Sequence, residues 1–152
     1  MGRSLDPDAR LDEDVRRYAR EHGVAVLVTL LDRLELANAG RIDLAARRAG
    51  LRWMHVPLAD GGIPASTGEA RRRARQLLRH LEAGRTVVLH CKAGLGRSGT
   101  VAACVLVETG LDADRAVAAV RAARPGAIEH PWQEAFVREL ARLRVPGPNR
   151  GS

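Results

Sequence analysis

The chain has 152 residues, of which 45% are hydrophobic and only 3% aromatic, and its net charge is +7. This length allows one domain with one core, and the shortage of aromatic rings leaves that core to Leu, Val and Ala. The charge suits an anionic substrate. We do not expect nucleic acid as a main ligand, because the basic residues are dispersed and few rings are present for base stacking.

Cysteine usage and hydropathy predict a soluble, cytoplasmic protein. Two cysteines cannot make a disulfide framework, and the sequence contains no CxxC pair that would bind zinc. The polar N-terminus lacks the apolar segment of a signal peptide, and no apolar run reaches the length of a membrane span. We therefore expect no cofactor, no metal and no membrane partner, while the oligomeric state stays open.

A helical pattern, a glycine and an apolar run follow one another three times along the chain. The predicted helices cover 12–22, 41–49 and 69–83, and the strands that follow them cover 24–31, 51–58 and 86–90. Each helix ends at a glycine, the residue that best adopts the left-handed conformation found there. Such alternation predicts an α/β fold with a central, mainly parallel sheet flanked by helices.

The third helix has a defined start, because Ser66-Thr67-Gly68-Glu69 fits a capping box. Further helices are expected over 98–109, 112–123 and 131–144, giving one domain over 1–145 and a flexible tail over 146–152. One face of the third helix is expected to be buried and consists of Ala70, Ala74, Leu77, Leu78 and Leu81.

The stretch HCKAGLGRSGT, residues 90–100, lies between the third strand and the next helix. Its glycines allow a tight bend that turns backbone N–H groups inward, and such a nest at a helix N-terminus binds anions. Cys91 lies at its mouth, where amides, the helix dipole and Arg97 favour the thiolate, a nucleophile. Arg97 offers a planar fork for two phosphate oxygens. A Walker A loop is excluded, because it requires Lys where Arg97 stands.

Asp60 is the predicted general acid. It follows the second strand and lies between Pro57 and Gly61-Gly62, in a loop that is able to move. The carboxyl ends of parallel strands face one crevice, so Asp60 is expected near the nucleophile. Asp32 and Glu35, just beyond the first strand, are the alternatives.

Residues 90–98 resemble the signature of the cysteine-dependent protein tyrosine phosphatase superfamily. The stretch VPLADGGIP, residues 56–64, resembles the general-acid loop of its dual-specificity branch, most of all that of the kinase-associated phosphatase group. The stretch RPGAIEHPWQEAF, residues 124–136, resembles the region after the signature in the same proteins. The likeness covers roughly residues 20–142 in the right order.

This resemblance implies a role for each matching residue. Cys91 would carry the phosphoryl group as a thiophosphate, Asp60 would protonate the leaving oxygen, and Ser98 would donate a hydrogen bond to the sulfur. His90 would order the loop, and Gln133 would either orient the hydrolytic water or be an exposed helix residue. The phosphate oxygens would be held by Lys92, Ala93, Gly94, Leu95, Gly96 and Arg97.

The resemblance thus implies a phosphomonoester hydrolase of the protein tyrosine or dual-specificity type. Its substrate would be a phosphorylated protein carrying phosphotyrosine, with phosphoserine and phosphothreonine left open, or another small phosphomonoester. The alternatives are the same chemistry on RNA 5′-phosphates or inositol phosphates, or a phosphate-binding module without turnover. Cys104 is expected in the core, with a resolving role for oxidised Cys91 left open.

Overall fold

A sheet of three parallel strands organises the structure, a computed structural model that describes residues 6–93 and 95–144. The strand order is β2–β1–β3. In the register, Val28 lies opposite Met54 on one side and Leu89 on the other. The predicted parallel sheet is confirmed. Its strands are β1 (Val24–Thr29), β2 (Arg52–His55) and β3 (Thr86–His90).

Helices cover both faces of the sheet, as predicted. No helix within the described ranges is long and apolar enough to cross a membrane. The helices are α1 (Pro7–His22), α2 (Arg33–Asn38), α3 (Ile42–Arg48), α4 (Thr67–Glu82), α5 (Gly96–Thr109), α6 (Ala113–Ala123) and α7 (Pro131–Arg142).

The apolar residues of β1 divide between two cores. Val26 and Val28 are fully buried in the larger core, which includes residues of α4, α5, α6 and α7. Leu27 faces the smaller core, where α1 and α3 contribute Ala19 and Ala46. Cys104 lies in the larger core and is 2% exposed, as predicted.

Several element boundaries differ from the predictions, and local chemistry explains the differences. α1 begins at Pro7, because Asp6 caps it and accepts a hydrogen bond from the Asp8 N–H. The first two strands are shorter than predicted, because regular pairing ends at Thr29 and His55. One further bond, from Leu58 N–H to Leu30 C=O, joins the two chain segments beyond that point. Helix α2 was not predicted, and α7 ends at Arg142. The predicted tail over 146–152 lies outside the described residues.

The end of α4 departs from its predicted burial. Ser66 caps the helix as expected, with its Oγ accepting from the Glu69 N–H at 3.1 Å. Leu77 is buried, but Leu81 on the same face is 44% exposed. Leu81 lies beside β3, which is an edge strand of the sheet, so the last turn of α4 has no further strand to cover it.

Gly99→Ala is predicted to destabilise the domain, because α5 closely approaches the segment that precedes α7. A Cβ on Gly99 would lie 3.0 Å from the backbone nitrogen of Ile128 and 3.1 Å from the Cβ of Ala127. We expect urea titration to show a loss of about 1–3 kcal/mol in unfolding free energy.

The matched control for this prediction is Gly68→Ala in α4, where the nearest atom would be 3.8 Å away. It should leave the unfolding free energy unchanged or raise it by up to about 1 kcal/mol. Equal effects of the two substitutions would show that backbone entropy, and not the close approach, sets the cost at Gly99.

Candidate active site

The predicted catalytic residues come together at the carboxyl ends of the strands. Cys91 directly follows β3, and Gly96 begins α5. Asp60 lies in the loop after β2, and Glu35 lies in the short helix after β1. The parallel sheet places all three connections at one edge, the usual position of a site in an open α/β sheet.

Cys91 and the phosphate-binding loop predicted over 92–97 border a pocket of about 290 Å³. Asp60 and Gly61, from the loop after β2, line the same pocket. Gly94 lies outside the described residues. Of the residues around it, Lys92 and Ala93 are exposed and Cys91 and Leu95 are partly buried. Gly96 and Arg97, at the start of α5, are buried.

Ser98 and Cys91 are in contact. The Ser98 hydroxyl donates to Cys91 Sγ at 3.1 Å, and Ser98 is 8% exposed while Cys91 is partly exposed. The donor therefore approaches the sulfur from the protein side and leaves the pocket side open to a substrate. This is the arrangement that the resemblance implied.

Arg97 is only 2% exposed and forms a two-pronged salt bridge with Glu35. Its Nη1 lies 2.6 Å from Glu35 Oε2 and its Nη2 lies 3.0 Å from Glu35 Oε1. Nη1 also donates to the carbonyl of Leu58 at 3.0 Å, and Asp60 Oδ1 is 3.6 Å from Nη2. The hydrogen bond to Glu35 raises the pKa of Arg97, so its guanidinium is a permanent cation.

Two donors of the Arg97 guanidinium have no hydrogen-bond partner within residues 6–93 and 95–144. A guanidinium carries five N–H donors, and Glu35 and Leu58 take three of those on Nη1 and Nη2. The Nε–H and the second Nη2–H share the other edge of the plane. That edge is a second fork, suited to two oxygens of one phosphate.

Glu35 is a residue whose role the sequence did not reveal. Asp32 caps α2, and a reciprocal pair of bonds fixes Glu35: its N–H donates to Asp32 Oδ1 at 2.8 Å, and its Oε2 accepts from the Asp32 N–H at 2.9 Å. The hydrogen bond from Arg97 lowers the pKa of Glu35 to about 2. An acid this strong is ionised at neutral pH, so Glu35 is unsuited to the proton-donor role considered from sequence.

Asp60 is open to solvent, with its side chain 79% exposed. The chain turns sharply just beyond it, since Gly62 N–H bonds to Ala59 C=O at 2.7 Å. Gly61 has a φ of +67°, where an L side chain would be strained. The turn holds the Asp60 carboxylate on the wall that faces the phosphate-binding loop.

The start of α7 fastens this acid loop, a link that no local sequence signal indicated. Trp132 Nε1 donates to Gly61 C=O at 2.7 Å, and Gln133 Nε2 donates to Gly62 C=O at 3.2 Å. The Trp132 ring stacks on His130 with centroids 4.3 Å apart. The loop that carries Asp60 is therefore bonded at two successive carbonyls.

Gln133 is fully buried, so the alternative of an exposed helix residue is wrong. Its Oε1 accepts from the His130 N–H at 3.2 Å. A Cβ on Gly96 would lie 3.1 Å from Gln133 Nε2, so the amide reaches the start of α5 as well as the acid loop. Gln133 thus lies between the acid loop and the start of α5.

His90 lies under the loop in a chain of polar contacts. Trp53 Nε1 donates to Thr29 Oγ1 at 2.9 Å, and Thr29 Oγ1 lies 2.7 Å from His90 Nε2. Burial lowers the pKa of His90, which favours the neutral ring. A neutral Nε2 can accept from the Thr29 hydroxyl, so the contacts fix the residue before the nucleophile.

Ile128 holds the loop from the other side. Its φ of +58° is rare for a β-branched residue, and its N–H donates to Leu95 C=O at 3.0 Å. Arg121 bonds the carbonyls of Ala127 and Ile128, both at 3.1 Å.

In the part of the chain that the structure describes, no cluster of three or more His, Cys, Asp or Glu residues could hold a metal ion.

Comparison with known families agrees with this geometry. The family described as "Tc-R-P: Polymorphic toxin system, DSP-PTPase phosphatase" matches residues 4–111. The chain belongs to this family. The predicted membership of the protein tyrosine phosphatase superfamily and its dual-specificity branch is confirmed.

Similar proteins support the same assignment. Protein tyrosine phosphatase domain-containing protein 1 of Bos taurus is 32% identical over 138 residues, a match that covers 84% of this chain but 17% of the bovine protein. The solved structure of Tk-PTP in its active form has 30% identity and a TM-score of 0.77, covering 88% of this chain and 87% of that one. A kinase associated phosphatase with its catalytic-site cysteine replaced by serine has 25% identity and a TM-score of 0.77, covering 88% and 79%.

The Glu35–Arg97 pair is predicted to make stability depend on acid pH. Because the pKa of Glu35 is lowered from 4.5 to about 2, its stabilising effect is complete above about pH 5 and is lost as the pH falls toward 2. Glu35→Gln should cost about 1–3 kcal/mol of unfolding free energy at neutral pH, since Arg97 loses its charged acceptor. The difference from wild type should shrink on acidification.

Urea titrations of wild type and Glu35→Gln over a series of pH values test this prediction. Glu82→Gln, at the exposed end of α4, is the control for removing a carboxylate and should change unfolding free energy by less than about 0.5 kcal/mol at neutral pH. A wild-type advantage over Glu35→Gln that stays constant down to low pH would contradict the assigned pairing.

Proposed function

We propose that this domain hydrolyses phosphomonoesters in two steps through a phosphocysteine at Cys91. The observation that carries the proposal is the convergence around one pocket of a sulfur with its own hydroxyl donor, a guanidinium edge that Glu35 and Leu58 do not occupy, and an exposed carboxylate. Its family membership supports the reaction class.

In the first step, the Cys91 thiolate attacks phosphorus, and the bond between phosphorus and the leaving oxygen breaks. Asp60 donates its proton to that oxygen, so an alcohol or phenol leaves and Asp60 becomes a carboxylate. Such general acid catalysis contributes about 10²–10⁴-fold for a poor leaving group. Asp60 lines the same pocket as Cys91, which supports this role.

In the second step, water attacks the phosphocysteine and gives a proton to the Asp60 carboxylate. The sulfur–phosphorus bond breaks, inorganic phosphate forms, and the electron pair returns to sulfur. The Ser98 hydroxyl stabilises the departing thiolate with its hydrogen bond of 3.1 Å. Gln133, buried between the acid loop and the start of α5, is our candidate for orienting the water.

Arg97 and the amides of the 92–97 loop hold the non-bridging phosphate oxygens in both steps. Glu35 occupies one edge of the guanidinium and aims the other edge at the pocket. Preorganised donors of this kind stabilise charge without reorganising during the reaction. Glu35 is therefore a positioning residue that acts through Arg97.

The substrate class that we favour is a protein phosphomonoester, phosphotyrosine first. The pocket is small and Asp60 is mostly exposed, so the site is open and suits a phosphate on a protruding side chain. Phosphate release from phosphopeptides, inositol phosphates and triphosphorylated RNA would rank the alternatives. Binding of these compounds without any phosphate release would instead indicate a phosphate-binding module.

Cys91→Ser is predicted to abolish turnover while preserving the anion site. A serine hydroxyl is not ionised at neutral pH, so the rate should fall by roughly 10³-fold or more, as for other lost nucleophiles. Vanadate should still bind, because the amides and Arg97 remain. The measurements are p-nitrophenyl phosphate hydrolysis and vanadate titration.

Cys104→Ala is the matched control for the loss of a thiol. Burial raises the pKa of Cys104 to about 12, so this thiol stays protonated and is not a nucleophile. Its removal should cost stability but leave activity within a few-fold of wild type. Residual turnover by Cys91→Ser close to that of Cys104→Ala would remove Cys91 from the mechanism.

Asp60→Asn is predicted to slow the first step in proportion to the basicity of the leaving group. A phenyl or alkyl phosphate needs the proton, so its reaction should slow by about 10²–10⁴-fold, whereas an aryl phosphate with an acidic phenol should be nearly unaffected. Single-turnover release of the leaving group from a series of aryl phosphates measures this trend. An equal loss for every member of the series would mean that Asp60 only shapes the loop.

A further inference from the structure

A mostly apolar cavity of about 240 Å³ lies between the sheet, α4 and the acid loop that carries Asp60. It shares no lining residue with the phosphate pocket that Cys91 borders. Its walls include six core residues that are each at most 8% exposed: Val28, Leu30, Met54, Leu77, Val101 and Cys104. The cavity is therefore a second concave site, separate from the phosphate pocket.

The chemistry of these core residues favours a hydrocarbon ligand. None of the six side chains carries an oxygen or a nitrogen, whereas a buried water molecule needs two to four polar partners. A cavity of about 150 Å³ with such walls takes up benzene, so this larger one has room for a short aliphatic chain. Ile63, which is 38% exposed, also lines the cavity, so part of its wall is in contact with solvent and a ligand can enter.

The acid loop forms another wall of the cavity. Residues 57–59, just before Asp60, and residues 63–65, shortly after it, all line the cavity. The Leu58 carbonyl accepts from Arg97 at 3.0 Å, and the Ala59 carbonyl accepts from Gly62 N–H at 2.7 Å. A molecule in the cavity would therefore pack against both flanks of the turn that holds Asp60, and would oppose the opening of that turn.

Arginines lie beside the part of the cavity that α4 forms. Glu69 and Arg73 line the cavity and also border a hollow of about 470 Å³ on the surface of α4. The arginines of that hollow are Arg72, Arg73, Arg75 and Arg79. Arg75 is paired with Glu108 at 3.0 Å, but within residues 6–93 and 95–144 the other three arginines and Glu69 form no salt bridge. Three cations against one carboxylate leave this surface positive.

An apolar cavity next to a positive surface complements an amphiphile with an aliphatic chain and an anionic head. A cationic head would be repelled by the three arginines, and a neutral hydrocarbon would gain nothing from them. Arg73 lines both hollows, so it is placed to meet the head of a molecule whose chain lies in the cavity. We propose that the cavity binds a single-chain anionic amphiphile, of which a medium-chain carboxylate is the simplest case, with its head at Arg73, and that the bound chain steadies the acid loop.

Methionine labelled with ¹³C at its methyl group provides a direct test on the full chain. The sequence has two methionines, Met1 and Met54, so one of the two NMR signals reports on a cavity wall. Octanoate should move the Met54 signal saturably, with a Kd of about 1 mM or below. Butyrate, which is four methylenes shorter, should bind about 100-fold more weakly. Saturating octanoate should also slow hydrogen exchange of the Gly62 amide several-fold.

Variants of the protein test the two halves of the ligand separately. Arg73→Gln should weaken octanoate binding several-fold but leave the binding of neutral 1-octanol unchanged, because only the head differs between these probes. Arg47→Gln, which replaces an exposed arginine of α3, is the matched control and should affect neither probe. Ala70→Leu enlarges a side chain of the cavity wall and should abolish binding of both probes. If Ala70→Leu does not fold, Arg73→Gln and the comparison of octanoate with butyrate decide.

Several results would overturn the proposal. One is a Met54 signal that does not move with octanoate up to about 10 mM, and another is equal affinity for butyrate and octanoate, which would show that no chain is buried. An Arg73→Gln variant that binds octanoate as wild type does would remove the head from Arg73. Binding without slower exchange at Gly62 would refute the effect on the acid loop. A Met54 signal that moves with protein concentration alone would make a second copy of the chain the occupant.

Discussion

The buried guanidinium of Arg97 is the constraint on which the site depends. A cation that is 2% exposed is stable only if anionic and polar acceptors surround it. Glu35 provides two oxygens, and the Leu58 carbonyl provides a third. These partners come from the connections after β1 and β2, while Arg97 follows β3. The ion pair with Glu35 and the hydrogen bond to Leu58 therefore connect the segments that follow all three strands.

The two acids near Arg97 differ in how they contact its guanidinium. Glu35 binds the guanidinium directly, and its lowered pKa keeps it anionic at any physiological pH. Asp60 lies 3.6 Å from the same group, and its side chain is 79% exposed to solvent. An anion that holds Arg97 and an acid that gives up a proton are opposite demands, and our proposal gives the second task to Asp60 and not to Glu35.

The sequence predicted those parts of the site that are local, and missed those that depend on distant contacts. Cys91, Arg97 and Ser98 lie within eight residues, so a strand followed by a helix sufficed to place them. The contacts of Trp132 and Gln133 with the acid loop span 71 residues, and nothing near either residue indicates them. Leu81 fits a helical apolar stripe, but whether that stripe is covered depends on the number of strands.

Glu35 could be predicted from the sequence only in part. The sequence Asp32-Arg33-Leu34-Glu35 is a capping signal directly after an apolar strand, so the presence of a short helix could have been predicted from it. Its pairing with Arg97, 62 residues away, could not. The fold class depended on the repeated order of helix, glycine and strand, and for that reason it was predictable even though several boundaries shifted.

The position of β3 at the edge of the sheet affects the nucleophile itself. A central strand is fixed by two neighbours, but among the strands of residues 6–93 and 95–144 β3 pairs only with β1. Its last four residues are all partly exposed. Cys91 therefore depends for its position on contacts outside the sheet. These are the Ser98 hydroxyl, the bond from Ile128 N–H to Leu95 C=O, and the Thr29–His90 contact.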